Sequence, residues 1–295
     1  MQRSVGWVVL AASLWGTTGT AAFFLGPDVS PLATGALTMG VGGVILALLG
    51  GRATLALWRD ARARSLLVIG ALGTVTYPLA FYSGMASAGI ALGNVVALGL
   101  GPLTAALLEW GIDKTRPRAS WWLASFAAVV GIAVMAGSGV ELGGGEPGNV
   151  TVGVAYATIA GISYGAFTYV FGKLADLGHR PRAVAGGVFG AGAPILLVIL
   201  ATTGAPLLAS PERLGLAAYL VLGPMVIAYL AFTSALARLR ASTVATIALL
   251  EPVVATVLAL VVVGEILGVQ AIVGIVLVLV SLAVFSVTKG PQRRS

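Results

Sequence analysis

The apolar stretches of this sequence are too long and too numerous for a water-soluble fold. About ten segments of roughly 17 to 24 mostly apolar residues follow one another, and each can cross a hydrocarbon core of about 30 Å as a helix. Charged residues make up only 9% of the 295 positions, whereas soluble domains carry about 25%. We therefore predict an all-α membrane protein with ten transmembrane helices, at residues 5–25, 31–50, 65–84, 88–109, 120–138, 150–172, 182–203, 214–236, 242–262 and 268–288.

The positive charges fall almost entirely in alternate connections between these segments. If the N-terminus is cytoplasmic, every Lys and Arg except Arg213 faces the cytoplasm, namely Arg3, Arg52, Arg59, Arg62, Arg64, Lys114, Arg116, Arg118, Lys173, Arg180, Arg182, Arg238, Arg240, Lys289, Arg293 and Arg294. The opposite connections hold acidic residues, namely Asp28, Glu141, Glu146 and Glu212, with Glu265 before the last segment. Because basic residues are enriched in cytoplasmic loops, we predict a multi-pass protein of the bacterial inner membrane with both termini in the cytoplasm. The net charge of +7 follows from this orientation, so we predict no nucleic-acid partner.

The two halves of the chain align with each other at an offset of 150 residues without a gap. This offset places Pro31 on Pro181 and Pro102 on Pro252. Because each half contains five helices, an odd number, the second half is inverted in the membrane, as in carriers that open to each side in turn. We predict a first repeat at residues 1–138, a Gly-rich extracytoplasmic linker at 139–149 and a second repeat at 150–295.

Glu251 is the ionisable residue that lies clearly inside a predicted span, and it directly precedes Pro252. Ionisable groups within the membrane are costly and usually serve a pathway, while the missing N–H of a proline weakens the local helix. Two interpretations stay open: a carboxylate that couples protons or binds a substrate ammonium, and a carboxyl that is hydrogen-bonded to backbone beside the proline. Glu265 is predicted to cap the start of the tenth helix, and His179 to be an ordinary loop residue.

Aromatic and small polar residues recur at helical spacing inside the spans. Tyr77 and Phe81 lie four residues apart in the third helix, and Asn94 shares a face of the fourth helix with Leu98. A mostly apolar cavity with a few polar groups suits a small amphipathic substrate, and ordinary packing is the alternative for each aromatic residue. The candidate substrate-binding residues are Trp15, Thr18, Tyr77, Phe81, Tyr82, Asn94, Leu98, Tyr164, Thr168, Tyr229 and Glu251, and Glu251 is also the candidate for proton coupling.

Several motifs resemble those of the drug/metabolite transporter superfamily, and within it the EamA-type permeases. They are Ser13-Leu14-Trp15-Gly16-Thr17-Thr18 in the first helix, the helices that contain Pro102 and Pro252, and Gly264-Glu265 leading into Val273-Gly274-Ile275. The resemblance covers essentially the whole chain and is carried by the order and spacing of the motifs. It implies a secondary carrier, commonly an exporter of amino acids or other small metabolites, that uses no nucleotide cofactor.

Absent residue types narrow the function further. Without cysteine the chain forms no disulfide or iron–sulfur site, and without a Walker motif it is not itself an ATP-driven pump. No Lys or Arg lies in the middle of a span, which argues against phosphate-bearing substrates, and the spans lack the groups an enzyme needs. We predict a non-enzymatic exporter of small neutral or amphipathic metabolites, with amino acids favoured and aromatic ones included, and with no cofactor, metal or obligate protein partner. A drug or organic-cation exporter and a lipid-handling membrane protein are the alternatives.

Overall fold

The computed structural model describes residues 2–114, 116–117, 119–138, 140–141, 148–236, 238–239, 244 and 247–287. Within these residues the chain is helical almost throughout, which confirms the predicted all-α class. Most of the predicted linker 139–149 and the start of the predicted helix 242–262 lie outside the described residues, as do Arg118, Arg240, Lys289, Arg293 and Arg294.

The first half of the chain contains seven α-helices and one short π-helix. They are α1 (Gln2–Gly16), α2 (Thr18–Phe23), α3 (Pro31–Ala36), the π-helix Leu37–Val41, α4 (Gly42–Arg59), α5 (Ala61–Ala88), α6 (Ile90–Asp113) and α7 (Ala119–Ala136). The predicted helix 5–25 is therefore interrupted by a turn at Thr17, whose hydroxyl donates a hydrogen bond of 2.7 Å to the carbonyl of Leu14.

The second half repeats much of this order. It contains α8 (Val150–Asp176), α9 (Pro181–Thr203), the 3₁₀-helix Ala205–Leu208, α10 (Pro211–Leu220), the π-helix Val221–Ile227, α11 (Ala228–Leu236), α12 (Leu250–Leu258), the π-helix Ala259–Val263 and α13 (Val269–Val287). Two short strands, β1 (Val140–Glu141) and β2 (Ile266–Leu267), pair antiparallel and join the two halves. Helix starts recur 150 residues apart: Pro31 and Pro181, Ala61 and Pro211, and Ala119 and Val269.

Six apolar helical segments in the described residues are long enough to cross a membrane. They are Pro31–Arg59, Ala61–Ala88, Ile90–Asp113, Val150–Asp176, Pro181–Thr203 and Pro211–Ala235. Shorter apolar helices accompany them at Ala119–Met135, Leu250–Val263 and Val269–Val284. Lengths of 23 to 29 residues exceed the approximately 20 that a bilayer requires, so the chain is a multi-pass membrane protein.

Local sequence determines where several of these helices begin. The hydroxyl of Ser30 accepts a hydrogen bond from the N–H of Ala33, and Pro31 occupies the first helical turn. Ser210 and Pro211 repeat the arrangement at the start of α10. A serine at the N-cap satisfies one of the free N–H groups of the first turn, and proline there sacrifices no hydrogen bond. At the start of α5, the N–H of Arg62 donates to the Asp60 carboxylate and holds its pKa below the ordinary value.

Close helix packing relies on small residues, among them Gly161 and Gly165 of α8. A Cβ added at Gly161 would lie 2.8 Å from the carbonyl oxygen of Ala97, and one at Gly165 would lie 2.6 Å from that of Gly101. Both positions face α6, so glycine allows the backbones of α8 and α6 to approach each other.

The helices pack in a recurring set of pairs. The most extensive contact joins α5 to α8, and α6 also packs on α8. In the other part of the bundle, α1 packs against α11 and α12. Two further pairs, α4 with α9 and α7 with α13, each join one helix of the first half to one of the second.

Glu265 caps a different helix from the one that the sequence predicts. Its side chain is 5% exposed, and its carboxylate accepts hydrogen bonds from the N–H groups of Ile90 and Ala91, the second at 3.2 Å. These groups are free donors at the N-terminus of α6, far away in sequence. The predicted capping role is therefore correct, but Glu265 caps α6 instead of α13. The turn before β2 brings the Glu265 side chain to the N-terminus of α6.

Candidate substrate-binding cavity

A cavity lies inside the helix bundle, between helices of both halves. It contains about 590 Å³ of empty space, counting the part that opens to solvent. Its walls come from α1, α2, α5, α6, α8, α10, α11, α12 and the π-helices at Leu37–Val41 and Val221–Ile227. We call it the central cavity.

Nine of the eleven predicted site residues line the central cavity. They are Trp15, Thr18, Tyr77, Phe81, Tyr82, Leu98, Tyr164, Tyr229 and Glu251. Helices from both halves of the chain contribute them, so the fold brings together side chains that are far apart in sequence. The helical spacing that linked Tyr77 with Phe81 is also visible in the structure, where the two rings stack at 5.2 Å between centroids.

One wall of the cavity is a layer of rings around Tyr229. The Tyr229 ring lies 5.1 Å from the indole of Trp15 and 4.7 Å from the ring of Phe189, both in edge-to-face geometry. The Trp15 indole N–H donates a 2.8 Å hydrogen bond to the carbonyl of Pro224. This bond fixes the orientation of Trp15, and edge-to-face contacts are a favoured geometry for ring pairs, so the layer is rigidly positioned.

A second wall is formed by Tyr77, Phe81 and Tyr164. The rings of Tyr77 and Tyr164 are 5.6 Å apart. Across from Tyr164, a Cβ added at Gly101 would lie 2.2 Å from its Cδ1 atom. Any side chain at this position would therefore push Tyr164 out of place, and the glycine that precedes Pro102 makes room for an aromatic wall.

Glu251 supplies the acidic group of the cavity. It lies in the first turn of α12, beside Pro252, and is partly buried. Within the part of the chain that the structure describes, no Lys, Arg or His lies within 4.0 Å of its carboxylate. A carboxylate in an apolar bundle is costly unless a cation or a proton neutralises it, so this site can take either one from solution.

Asn94 and Thr168 do not line the central cavity. Asn94 is 1% exposed and lies one helical turn before Leu98, and neither atom of its amide has a hydrogen-bond partner among the described residues. Thr168 lies on the exposed side of α8.

The cavity also contains residues that sequence reasoning missed. Thr38 and Met39 belong to one π-helix, Pro224 and Met225 to another, and Leu220 and Pro78 complete the lining. A π-helical turn shifts side chains out of the ordinary helical register, so the periodicity of the sequence does not reveal these positions. The four-residue spacing of Met225 and Tyr229 is the one signal that points to them.

The fold and the cavity together define the class: a multi-pass membrane protein with an aromatic-walled cavity inside its helix bundle. The chain belongs to the EamA-like transporter family, whose model matches residues 2–137 and again residues 151–287. This match confirms the resemblance seen in the sequence.

Known proteins similar to this chain agree with that assignment. An uncharacterized transporter of Bacillus subtilis (strain 168), YwfM, is 31% identical over 295 residues, which cover 97% of this chain and 94% of that protein. An uncharacterized transporter of Clostridium kluyveri is 26% identical over 133 residues, covering 44% of this chain and 42% of that protein. A solved crystal structure has the same fold, with a TM-score of 0.62 at 20% identity over 96% of each chain.

Proposed function

We propose that this transporter exports small neutral or amphipathic metabolites, with amino acids as the favoured substrates, by opening the central cavity to each side of the membrane in turn. The observation that carries the proposal is the cavity itself, in which aromatic rings surround a single carboxylate that has no basic partner among the described residues. Such a site offers ring faces to an apolar side chain and a negative charge to an ammonium group.

Two observations support an inverted-repeat carrier with ten helices. The family model matches the chain twice, over residues 2–137 and 151–287, in agreement with repeats at 1–138 and 150–295 and a linker at 139–149. The contacts between helices also follow the 150-residue offset. Under this offset α5 corresponds to the 211–235 segment and α8 corresponds to α1, and both α5 with α8 and the 211–235 segment with α1 are in contact. In such carriers, each half can take the conformation of the other, and the site lies between them.

The orientation of the protein follows from its charges. Basic residues concentrate in the connections on the same side of the membrane as both termini. This distribution supports a cytoplasmic location for both ends in a bacterial inner membrane. The solute would then enter the central cavity from the cytoplasm and leave on the side that holds the Glu265 cap.

Glu251 has a double role in this proposal. In one state its carboxylate binds the ammonium group of the solute, and after release it binds a proton from the external side. One negative charge cannot hold both cations at once, so the carboxylate would exchange one for the other.

The experiment is an efflux assay in proteoliposomes loaded with a mixture of neutral amino acids. We expect selective loss of a few of them, with a rate that depends on pH, relative to liposomes without protein. Glu251→Gln should abolish the pH dependence, whereas Glu212→Gln, which changes an exposed acid at the start of α10, should keep it. No loss of any amino acid from vesicles that contain folded protein would refute the amino-acid proposal.

A second candidate is export of organic cations. Trp15, Tyr77, Tyr164 and Tyr229 all line the cavity that contains Glu251, and ring faces with a carboxylate also suit a cation that has no acidic group. Efflux of a quaternary ammonium compound with retention of all amino acids would favour this candidate, and movement of fluorescent phospholipid between leaflets would favour a lipid-handling protein.

A further inference from the structure

A second cavity shares the residue Tyr229 with the central cavity. It contains about 470 Å³ of empty space and is lined by α4, α9 and α11, including Leu46, Gly50, Arg182 and Thr233. Leu46 and Gly50 lie in the first half of α4, just before the kink at Gly51, and Arg182 lies at the start of α9. Arg52 and Arg59 follow in α4, and Arg180 directly precedes α9. In the orientation given above, this is the cytoplasmic side. We call it the Arg182 cavity.

Tyr229 lines both the central cavity and the Arg182 cavity. Its ring is held between Trp15 and Phe189, at centroid distances of 5.1 and 4.7 Å. Tyr229 is therefore the residue at which the two cavities meet, and we call Tyr229 and its two ring neighbours the partition.

Arg182 gives the second cavity its charge. Among the described residues that line this cavity, Arg182 alone is charged, and within the same part of the chain its guanidinium makes no ion pair. It lies in the first turn of α9, next to Pro181, where the free N–H groups of the helix add positive potential. The two cavities thus have opposite polarity, with a cation at the cytoplasmic one and a carboxylate at the central one.

We propose that the Arg182 cavity is the cytoplasmic access site of the transporter and binds the carboxylate group of a zwitterionic solute. The Tyr229 ring separates this site from the central cavity. The inference rests on the proposed function and makes it more specific: the solute carries an acidic group for Arg182 and an ammonium group for Glu251. A guanidinium binds carboxylates through paired hydrogen bonds, which a lysine at the same position would not reproduce.

The first test needs no solute. The chain contains no cysteine, so a Thr233→Cys variant has one thiol, placed in the Arg182 cavity. In detergent, we measure the rates at which this thiol reacts with two methanethiosulfonate reagents, one bearing a sulfonate and the other an ammonium group. Each rate is divided by the rate of the same reagent with free cysteine. A unit charge roughly 5 Å away changes each rate by about fourfold in water-like surroundings. We expect the anionic reagent to be favoured, and Arg182→Gln to remove this preference. A preference that survives Arg182→Gln would overturn the proposal.

The second test measures the partition. A Met39→Cys variant places the thiol in the central cavity, since Met39 lines that cavity but not the other. In inside-out vesicles, an impermeant thiol reagent should modify this variant slowly, and Tyr229→Ala should increase the rate at least tenfold. Tyr229→Phe keeps the ring and should leave the rate unchanged. Equal rates with Tyr229 and with Tyr229→Ala would show that the ring does not separate the cavities.

The third test uses transport. For an amino acid that the wild-type protein exports, Arg182→Gln should raise the KM severalfold and leave the KM for the matching amino-acid amide unchanged. Equal changes for both would overturn the role of Arg182 while leaving the proposed function intact. If the wild-type protein exports no amino acid, the proposed function fails, and the two thiol experiments still decide the charge and the partition.

Discussion

Replacing Glu265 tests whether the cap on α6 stabilises the fold through its charge or through its acceptor atoms. In the structure, the carboxylate accepts from the N–H groups of Ile90 and Ala91 while 5% exposed. Burial raises the pKa of Glu265 above its ordinary value, and the hydrogen bonds from Ile90 and Ala91 only partly oppose this. The negative charge itself is therefore disfavoured at this position, and the stabilisation comes from satisfying two buried donors.

This reasoning gives different magnitudes for two substitutions. Glu265→Ala leaves two N–H groups without an acceptor, at about 1 to 3 kcal/mol each, so we expect a loss of roughly 2 to 6 kcal/mol. Glu265→Gln keeps an acceptor oxygen for one of the two N–H groups and leaves the other unsatisfied, while it removes the disfavoured charge, so we expect about half the loss, roughly 1 to 3 kcal/mol.

Thermal unfolding in detergent, followed by circular dichroism, separates the two outcomes. With about 2 °C of Tm for each kcal/mol in a chain of this size, Glu265→Ala should lower the Tm by roughly 4 to 12 °C and Glu265→Gln by about half as much, roughly 2 to 6 °C. Glu212→Gln, at an exposed acid in the first turn of α10, is the control. A loss for Glu265→Gln as large as that for Glu265→Ala would show that the charge stabilises the fold and would refute the argument.

The raised pKa of Glu265 also fixes the sign of a pH dependence. The folded state binds a proton at this site more tightly than the unfolded state, for which the ordinary value is 4.5. The associated stability is fully present below about pH 4.5 and is lost as the pH rises through the folded pKa. Glu265→Gln should remove this part of the slope of Tm against pH, and an unchanged slope would contradict the assignment.

Three further substitutions test the interior and the surface. Gly101→Ala places a methyl group 2.2 Å from Tyr164, so it should lower the free energy of unfolding by about 1 to 3 kcal/mol and slow efflux. Gly111→Ala, on the same helix with open space around it, is the control and should change neither. Asn94→Leu removes a buried amide that has no partner among the described residues, so the Tm should rise by the equivalent of about 1 to 3 kcal/mol; a fall would show that the amide is satisfied. Asp28→Asn breaks an ion pair with Arg213 in which the Asp28 side chain is 73% exposed, and the change should stay below about 1 kcal/mol.

The sequence predicts well where a property depends on spacing within one helix. Tyr77 and Phe81 lie on the cavity wall because a four-residue step returns to nearly the same face, and both line the central cavity. It predicts poorly where the register changes or where distant segments meet. Met39 lies in a π-helix that leaves no periodic signal, and Glu265 contacts the start of α6 through a turn whose path the local sequence does not determine.

In the proposed inverted-repeat carrier, the pair formed by Gly101 and Glu251 would make the site asymmetric. Both residues precede a proline, Pro102 or Pro252, and they correspond at the 150-residue offset. In one half the residue is a glycine, which makes room for the Tyr164 ring; in the other it is the acid that faces the same cavity. Two similar halves give a pathway that can open to either side, but a symmetric site would have no preferred orientation for a solute. Under the proposed function, the room for a ring on one side and the charge on the other would orient the solute, with its apolar part toward α8 and its ammonium toward α12.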